Sequence, residues 1–154
     1  MRVVRRITLE EALHRMRKFR EKYGMSFEEF EERFLERGLD RKAAADYYEW
    51  AGLVHSYRRY VEEGELDYVL EEILEMKPEE LRVLTPRRIE LLAALATTRV
   101  ESISDLARKV RRNVKNVYQD LQALRRLGWV AFRRRGRRNL VPEPLVDEIT
   151  LLIR

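Results

Sequence analysis

Apolar residues recur at helical spacing through the first sixty positions of the chain. Leu9, Ala12, Leu13, Met16, Phe19 and Tyr23 fall three or four apart, the period of a helix that buries one face. Thr8-Leu9-Glu10-Glu11 stands in front as a capping box, and Gly24 follows as a stop. Ser26-Phe27-Glu28-Glu29 opens a second helix, with Phe27, Phe30 and Phe34 as its inner stripe and Gly38 as its end. Asp40 caps a third and longer helix that runs to about Glu63, before Gly64. Its Ala43, Tyr47, Trp50, Val54, Tyr57 and Val61 alternate in steps of four and three, the spacing of an a/d seam, and Leu53 and Tyr60 widen the face. Such a seam fills a core or meets another chain. Tyr47, Trp50, Val54, Tyr57 and Val61 are the residues expected at a dimer or partner interface. Residues Asp67 to Met76 read as a short further helix, broken by Lys77-Pro78, and residues 2–7 as a strand or an arm.

The second half changes rhythm. Thr85-Pro86 predicts a helix start, because proline at the first helical position loses only an N–H that had no partner anyway. That helix carries Ile89, Leu92, Ala93 and Leu95 to about Thr97. Val100 to Ile103 looks extended. Ser104 is expected to cap a short helix with Leu106, Ala107 and Val110, and Arg111-Arg112-Asn113 to form a tight turn. A helix from Val114 to Leu127 follows, closed by Gly128. Trp129 to Phe132 reads as a strand, Arg134-Arg135-Gly136-Arg137 as a turn and Asn139-Leu140-Val141 as the start of the return strand. Beyond Pro142 and Pro144, Ile149 to Ile153 is a final apolar stretch. The expected fold is mainly α with a small β-wing. A helical region over 1–78 precedes a winged helix-turn-helix domain over 79–154.

Charge sharpens this division. The 154 residues carry a net charge of +5, a modest figure that hides an asymmetry. Residues 1–78 hold 15 Lys+Arg against 18 Asp+Glu, or −3, and residues 79–154 hold 17 against 9, or +8. Between 82 and 140 the balance is 16 against 4, or +12. A near-neutral half joined to a strongly basic one implies that one part meets a polyanion and the other has a different task.

With Val114 at zero and 100° per residue, Val117, Leu121 and Leu124 share an arc with it, expected to be buried. Lys115, Asn116, Gln119, Gln122, Ala123 and Arg126 occupy the opposite arc, which has no acid; Asp120 lies to the side. Asn and Gln match the donor–acceptor edge of adenine, and Lys reaches guanine acceptors or phosphate. Base contacts come mostly from the first part of a recognition helix. Lys115, Asn116 and Gln119 are therefore the expected base readers, with Asn113 capping or touching phosphate. Gln122 and Arg126, farther along, are expected at the DNA backbone. Arg133, Arg134, Arg135, Arg137 and Arg138 around Gly136 repel one another unless an anion lies between them, and Arg111 and Arg112 are placed for phosphate.

The stretch LTPRRIELL…SISDLARKVRRNVKNVYQDLQALRRLGWV, with the tail GRRNLVPEPLVDEITLLI, resembles MarR-like winged helix-turn-helix transcriptional regulators of archaea. The resemblance covers about residues 82–154. It implies DNA contacts at Asn113, Lys115, Asn116, Gln119 and the wing arginines. Many relatives have Gly in the turn where this chain has Arg112. YGMSFEEFEERF…DYYEWAGLVHSYRRY is similar to segments of small archaeal antitoxins, which implies partner binding by the first half.

The chain has no Cys and two His, so thiol chemistry, disulfides and His- or thiolate-built metal sites are excluded. Neither GxxxxGK nor GxGxxG occurs. No enzyme activity, metal or cofactor is expected. No apolar run approaches the ~20 residues that cross a bilayer, and the first residues lack the apolar core of a secretory signal. The expectation is a cytoplasmic homodimeric repressor that binds double-stranded DNA sequence-specifically. The alternative is an antitoxin whose first half binds a toxin protein while its winged helix represses its own operon.

Overall fold

Local capping signals set the helix starts. In a computed structural model, which describes residues 1–64 and 69–153, Thr8 accepts a hydrogen bond from the Glu11 N–H and α1 runs Leu9–Tyr23 to a left-handed Gly24. Ser26 does the same for Glu29 at the head of α2, Phe27–Arg37. Asp40 caps α3, Arg41–Glu63, through the Ala43 N–H. Each oxygen satisfies a donor that the first helical turn leaves without a partner.

The chain divides into two units: residues Ile7–Val69, and Met1–Arg6 together with Leu70–Arg154. In the first, α1 and α2 pack on α3 around an aromatic centre. Trp50 is buried, stacked at 5.6 Å on Phe19 and set edge-on to Phe27 at 5.5 Å, with Phe30 at 5.4 Å. Tyr47 stacks on Phe34 at 4.4 Å. At the edge of this core Asp46 accepts from Lys22 Nζ and Tyr23 Oη, both at 2.5 Å. Burial pushes its carboxyl up, but those hydrogen bonds outweigh it and hold it below the ordinary range.

The second unit begins with β1 (Arg2–Arg6) and resumes at Leu70, within β2 (Val69–Ile73). The helix expected over Asp67 to Met76 is not formed there: from Val69 the chain is a strand beside β1, while Asp67 itself lies outside the described residues. Hydrogen bonds between Met1 and Leu74, in both directions, and the Arg5–Glu72 pair tie this segment to the start of the chain. Tertiary pairing overrides the helical preference of Leu-Glu-Glu-Ile-Leu-Glu. A 3₁₀ turn at Glu80–Val83 leads to α4 (Pro86–Thr97), capped by Thr85. α5 is Ile103–Lys109, and its cap is Ser102, not Ser104: the Ser102 hydroxyl accepts from the Asp105 N–H at 2.9 Å. α6 (Val114–Arg126), β3 (Val130–Arg135), β4 (Asn139–Pro144) and β5 (Val146–Thr150) follow.

The sheet orders are β2-β1-β5 and β3-β4. β1 and β5 run antiparallel with Arg2 opposite Thr150, and β3 and β4 with Arg135 opposite Asn139. Leu145 joins the two sheets by accepting from the Arg6 N–H and donating to the Trp129 carbonyl. Leu91, Leu106, Val117, Leu121, Leu124, Trp129 and Val3 form the buried core. Among the described residues the chain is therefore mainly helical, with six α-helices and two small sheets. The expected boundary at 78/79 and the observed division differ over the first strand and residues 70–78, which join the basic unit.

Candidate nucleic-acid interface

α5 ends in a Schellman turn. The Arg112 N–H reaches the Ala107 carbonyl at 2.9 Å and the Arg111 N–H that of Arg108 at 3.2 Å. The left-handed position between the two helices belongs to Arg111, at φ 55°, so the glycine-like place in the turn is 111 and not 112. Asn113 then starts α6 by accepting from the Lys115 N–H at 2.8 Å, which commits its side-chain oxygen to capping. From this cap α6 turns Val117, Leu121 and Leu124 into the core. Val114, expected with them, is 46% exposed, because it stands in the first turn at the rim of the core. Lys115, Asn116, Gln119 and Arg126 are exposed, and Gln122 is half-buried.

The acid of this helix is neutralised from within. Asp120 accepts from Arg112 Nη2 at 2.6 Å and Arg88 Nε at 3.0 Å. Burial raises its carboxyl, but these two hydrogen bonds prevail and hold it below the ordinary range. Arg112, grouped with Arg111 as a phosphate contact in the sequence, is 10% exposed and engaged with Asp120. Its side chain braces the turn from inside. Arg111 is exposed.

The hairpin β3–β4 carries the arginine cluster. Arg133, Arg134 and Arg135 lie on β3, and Arg137 and Arg138 in the turn after Gly136; all are exposed. Arg133 pairs with Glu143 at 2.5 Å, and Arg135 stands 3.9 Å from Glu101. Arg134, Arg137 and Arg138 have no carboxylate partner among the described residues. The surface therefore combines an acid-free helix face with a hairpin whose cations are only partly matched.

One participant escaped the sequence reading. Tyr118 is 40% exposed on the flank of α6, its ring stacked on Phe132 of β3 at 6.2 Å and its hydroxyl accepting from Gln122 Nε2 at 2.6 Å. The available signal was the Tyr–Gln spacing of four, which puts both on one helix face.

The expected interface residues of α3 part company. Trp50 lies in the core of its own unit, and Tyr47 is occupied by Phe34 and by Glu31, to which its hydroxyl donates at 2.9 Å. Val54 is half-buried, and Tyr57 and Val61 are 36% and 64% exposed. Leu35 and Tyr48 of the same unit are more exposed still. Among the described residues no group of acidic or His side chains could hold a metal, and no helix is long and apolar enough to cross a membrane.

A family model, HVO_A0114, matches residues 83–151, the stretch from just before α4 to just after β5. No curated protein matches the chain.

Proposed function

We propose that this protein is a sequence-specific double-stranded DNA-binding transcriptional regulator, in which α5, α6 and the β3–β4 hairpin act as a winged helix-turn-helix. The observation that carries the reading is the outward arc of α6. Lys115, Asn116 and Gln119 stand exposed at its N-terminal end, and its one acid is paired inward with Arg88 and Arg112. Neutral amides and one ammonium, with no exposed carboxylate, suit the mixed edge of base pairs in a major groove. Beside them Arg134, Arg137 and Arg138 are cations that a phosphate backbone or minor groove would neutralise.

The helical unit has the protein-facing task, and homodimerisation is its first reading. Two copies would set two recognition helices about one duplex turn apart on a pseudopalindromic site. Val61, Leu35 and Tyr48, 64–76% exposed, support a face that meets protein. The same side chains support the second reading, a small toxin protein as the partner of that unit. A single copy in light scattering at micromolar concentration would remove the homodimer.

Selection of bound sites from a random duplex pool, followed by footprinting, tests the whole. An enriched site protected on both strands is the expected result, and a pool that stays random refutes it. Lys115→Ala or Gln119→Ala should relax preference by about 1–3 kcal/mol at individual base pairs. Arg134→Ala or Arg137→Ala should weaken all sequences alike and flatten the salt dependence.

A further inference from the structure

On the reading of α6 as a recognition helix, we infer that Gln122 reads an adenine and that Tyr118 is the positioning residue that fixes its amide for the task. Gln122 is not a free surface side chain. Its Nε2 donates to the Tyr118 hydroxyl at 2.6 Å, one helical turn back. The tyrosine is itself held. Its ring lies nearly parallel to Phe132, 15° between planes at 6.2 Å, and the Arg125 guanidinium sits over the Phe132 ring at 5.3 Å. The hairpin strand β3 thus backs the tyrosine, and the tyrosine orients the glutamine.

A glutamine amide has two N–H donors and one carbonyl acceptor. With one donor committed to Tyr118, one donor and one acceptor remain. Adenine presents the complement of that pair in the major groove, an N7 acceptor beside an N6 donor. Phosphate does not: it offers acceptors alone, and an amide carbonyl turned toward it is repelled. The captured amide therefore suits a base better than the DNA backbone, although Gln122 lies well along the helix. Holding the rotamer before binding also removes ordering entropy that a free glutamine would lose on contact. Lys115, Gln119, Gln122 and Arg126 follow one another at spacings of four, three and four, so the stripe runs from base readers through Gln122 to a cation placed for phosphate.

The test uses the full chain and the duplex site it selects, with each base pair replaced in turn. Wild type should prefer A·T at one position per recognition helix, and Gln122→Ala should erase a preference of about tenfold there. Tyr118→Phe keeps the ring and its stacking but removes the hydroxyl. It should cut the same preference by about three- to fivefold, with melting temperature, affinity for random DNA and preference at the other positions unchanged. In the Gln122→Ala background Tyr118→Phe should add nothing, the signature of a residue acting through the amide. Gln122→Glu should move the preferred base from adenine toward cytosine, whose exposed group is a donor. Unchanged discrimination in Tyr118→Phe, an equal loss on every sequence, or full additivity of the two changes would overturn the inference and leave the DNA reading standing. A wild-type protein that selects no site at all would overturn both.

Discussion

Arg111 is a side chain in a place built for glycine. At φ 55° it sits in the left-handed region, where a Cβ crowds the following carbonyl at a cost of roughly 1–2 kcal/mol. The two hydrogen bonds of the turn, Arg112 to Ala107 and Arg111 to Arg108, require that conformation. Arg111→Gly should relieve the crowding. Glycine's greater freedom in the unfolded chain opposes the gain by about 0.4–1 kcal/mol. The net is a stabilisation of about 0.5–1 kcal/mol, or a melting temperature about 2–8 °C higher in a domain of 60–100 residues. The same change deletes an exposed cation beside α6, so the slope of log affinity against log salt should fall by about one. Arg111→Ala is the control: it loses the charge but keeps the Cβ, so it should lose the same slope and gain no stability. Thermal and urea unfolding together with salt-titrated DNA binding read both effects. If Arg111→Gly is no more stable than Arg111→Ala, the strain at the left-handed position does not exceed glycine's entropy cost and the predicted gain fails. A stabilised turn that binds DNA less well would mean that the arginine is held there at the expense of the fold.

Asp120→Ala strands two guanidinium groups, of which Arg112 is 10% and Arg88 23% exposed. It should cost about 2–3 kcal/mol in urea unfolding. Trp50→Ala should cost about 3–5 kcal/mol within the three-helix unit, seen as hydrogen-exchange protection lost in α1 to α3 while α6 keeps its own. Acid should loosen the α5–α6 region in a defined window. Asp105 is held at about 2, chiefly by the Glu101 N–H and then by Lys109 and Arg108. Asp120 is also depressed, its arginine hydrogen bonds outweighing burial. Both folded carboxyls titrate below the ordinary 3.8, so their stabilisation is complete above that value and drains away as pH falls toward 2. Circular dichroism should show this loss between about pH 4 and 2, and Asp105→Asn with Asp120→Asn together should flatten that slope; an unchanged slope would refute the assignment.

Helix ends were the most readable part of the sequence, because a cap is made between residues only two or three apart. Thr8, Ser26, Asp40, Thr85 and Asn113 were each identified and each cap a helix. What depended on distant partners was not legible. The Leu-Glu-Glu-Ile segment became a strand because β1, nearly seventy residues earlier, lies beside it. Arg5 is 4% exposed, bonded to Glu72 and to the Gly128 carbonyl at the end of α6, and nothing local marks it as a core residue. A periodic seam names an apolar face without naming its neighbour, which is why Trp50 was assigned to an interface and lies inside its own unit. On α6 the angular pattern separated the core residues Val117, Leu121 and Leu124 from the exposed Lys115, Asn116 and Gln119. It missed Tyr118 because a residue at the margin of an arc acquires its meaning from the strand packed behind it.

The threading of the chain sets an order of assembly. Residues 7–69 form their helical unit from contacts close in sequence, the kind that form early. β1 precedes that unit, yet one of its partners is β5, with Arg2 opposite Thr150. During synthesis the edge of β1 that pairs with β5 has no partner until residues 146–150 emerge. A waiting edge is open to strands of other chains. Arg2, Arg5 and Arg6 on this five-residue strand are the kind of charge that keeps such an edge from pairing wrongly. The arginines that hold the finished sheet would then also guard it before it closes.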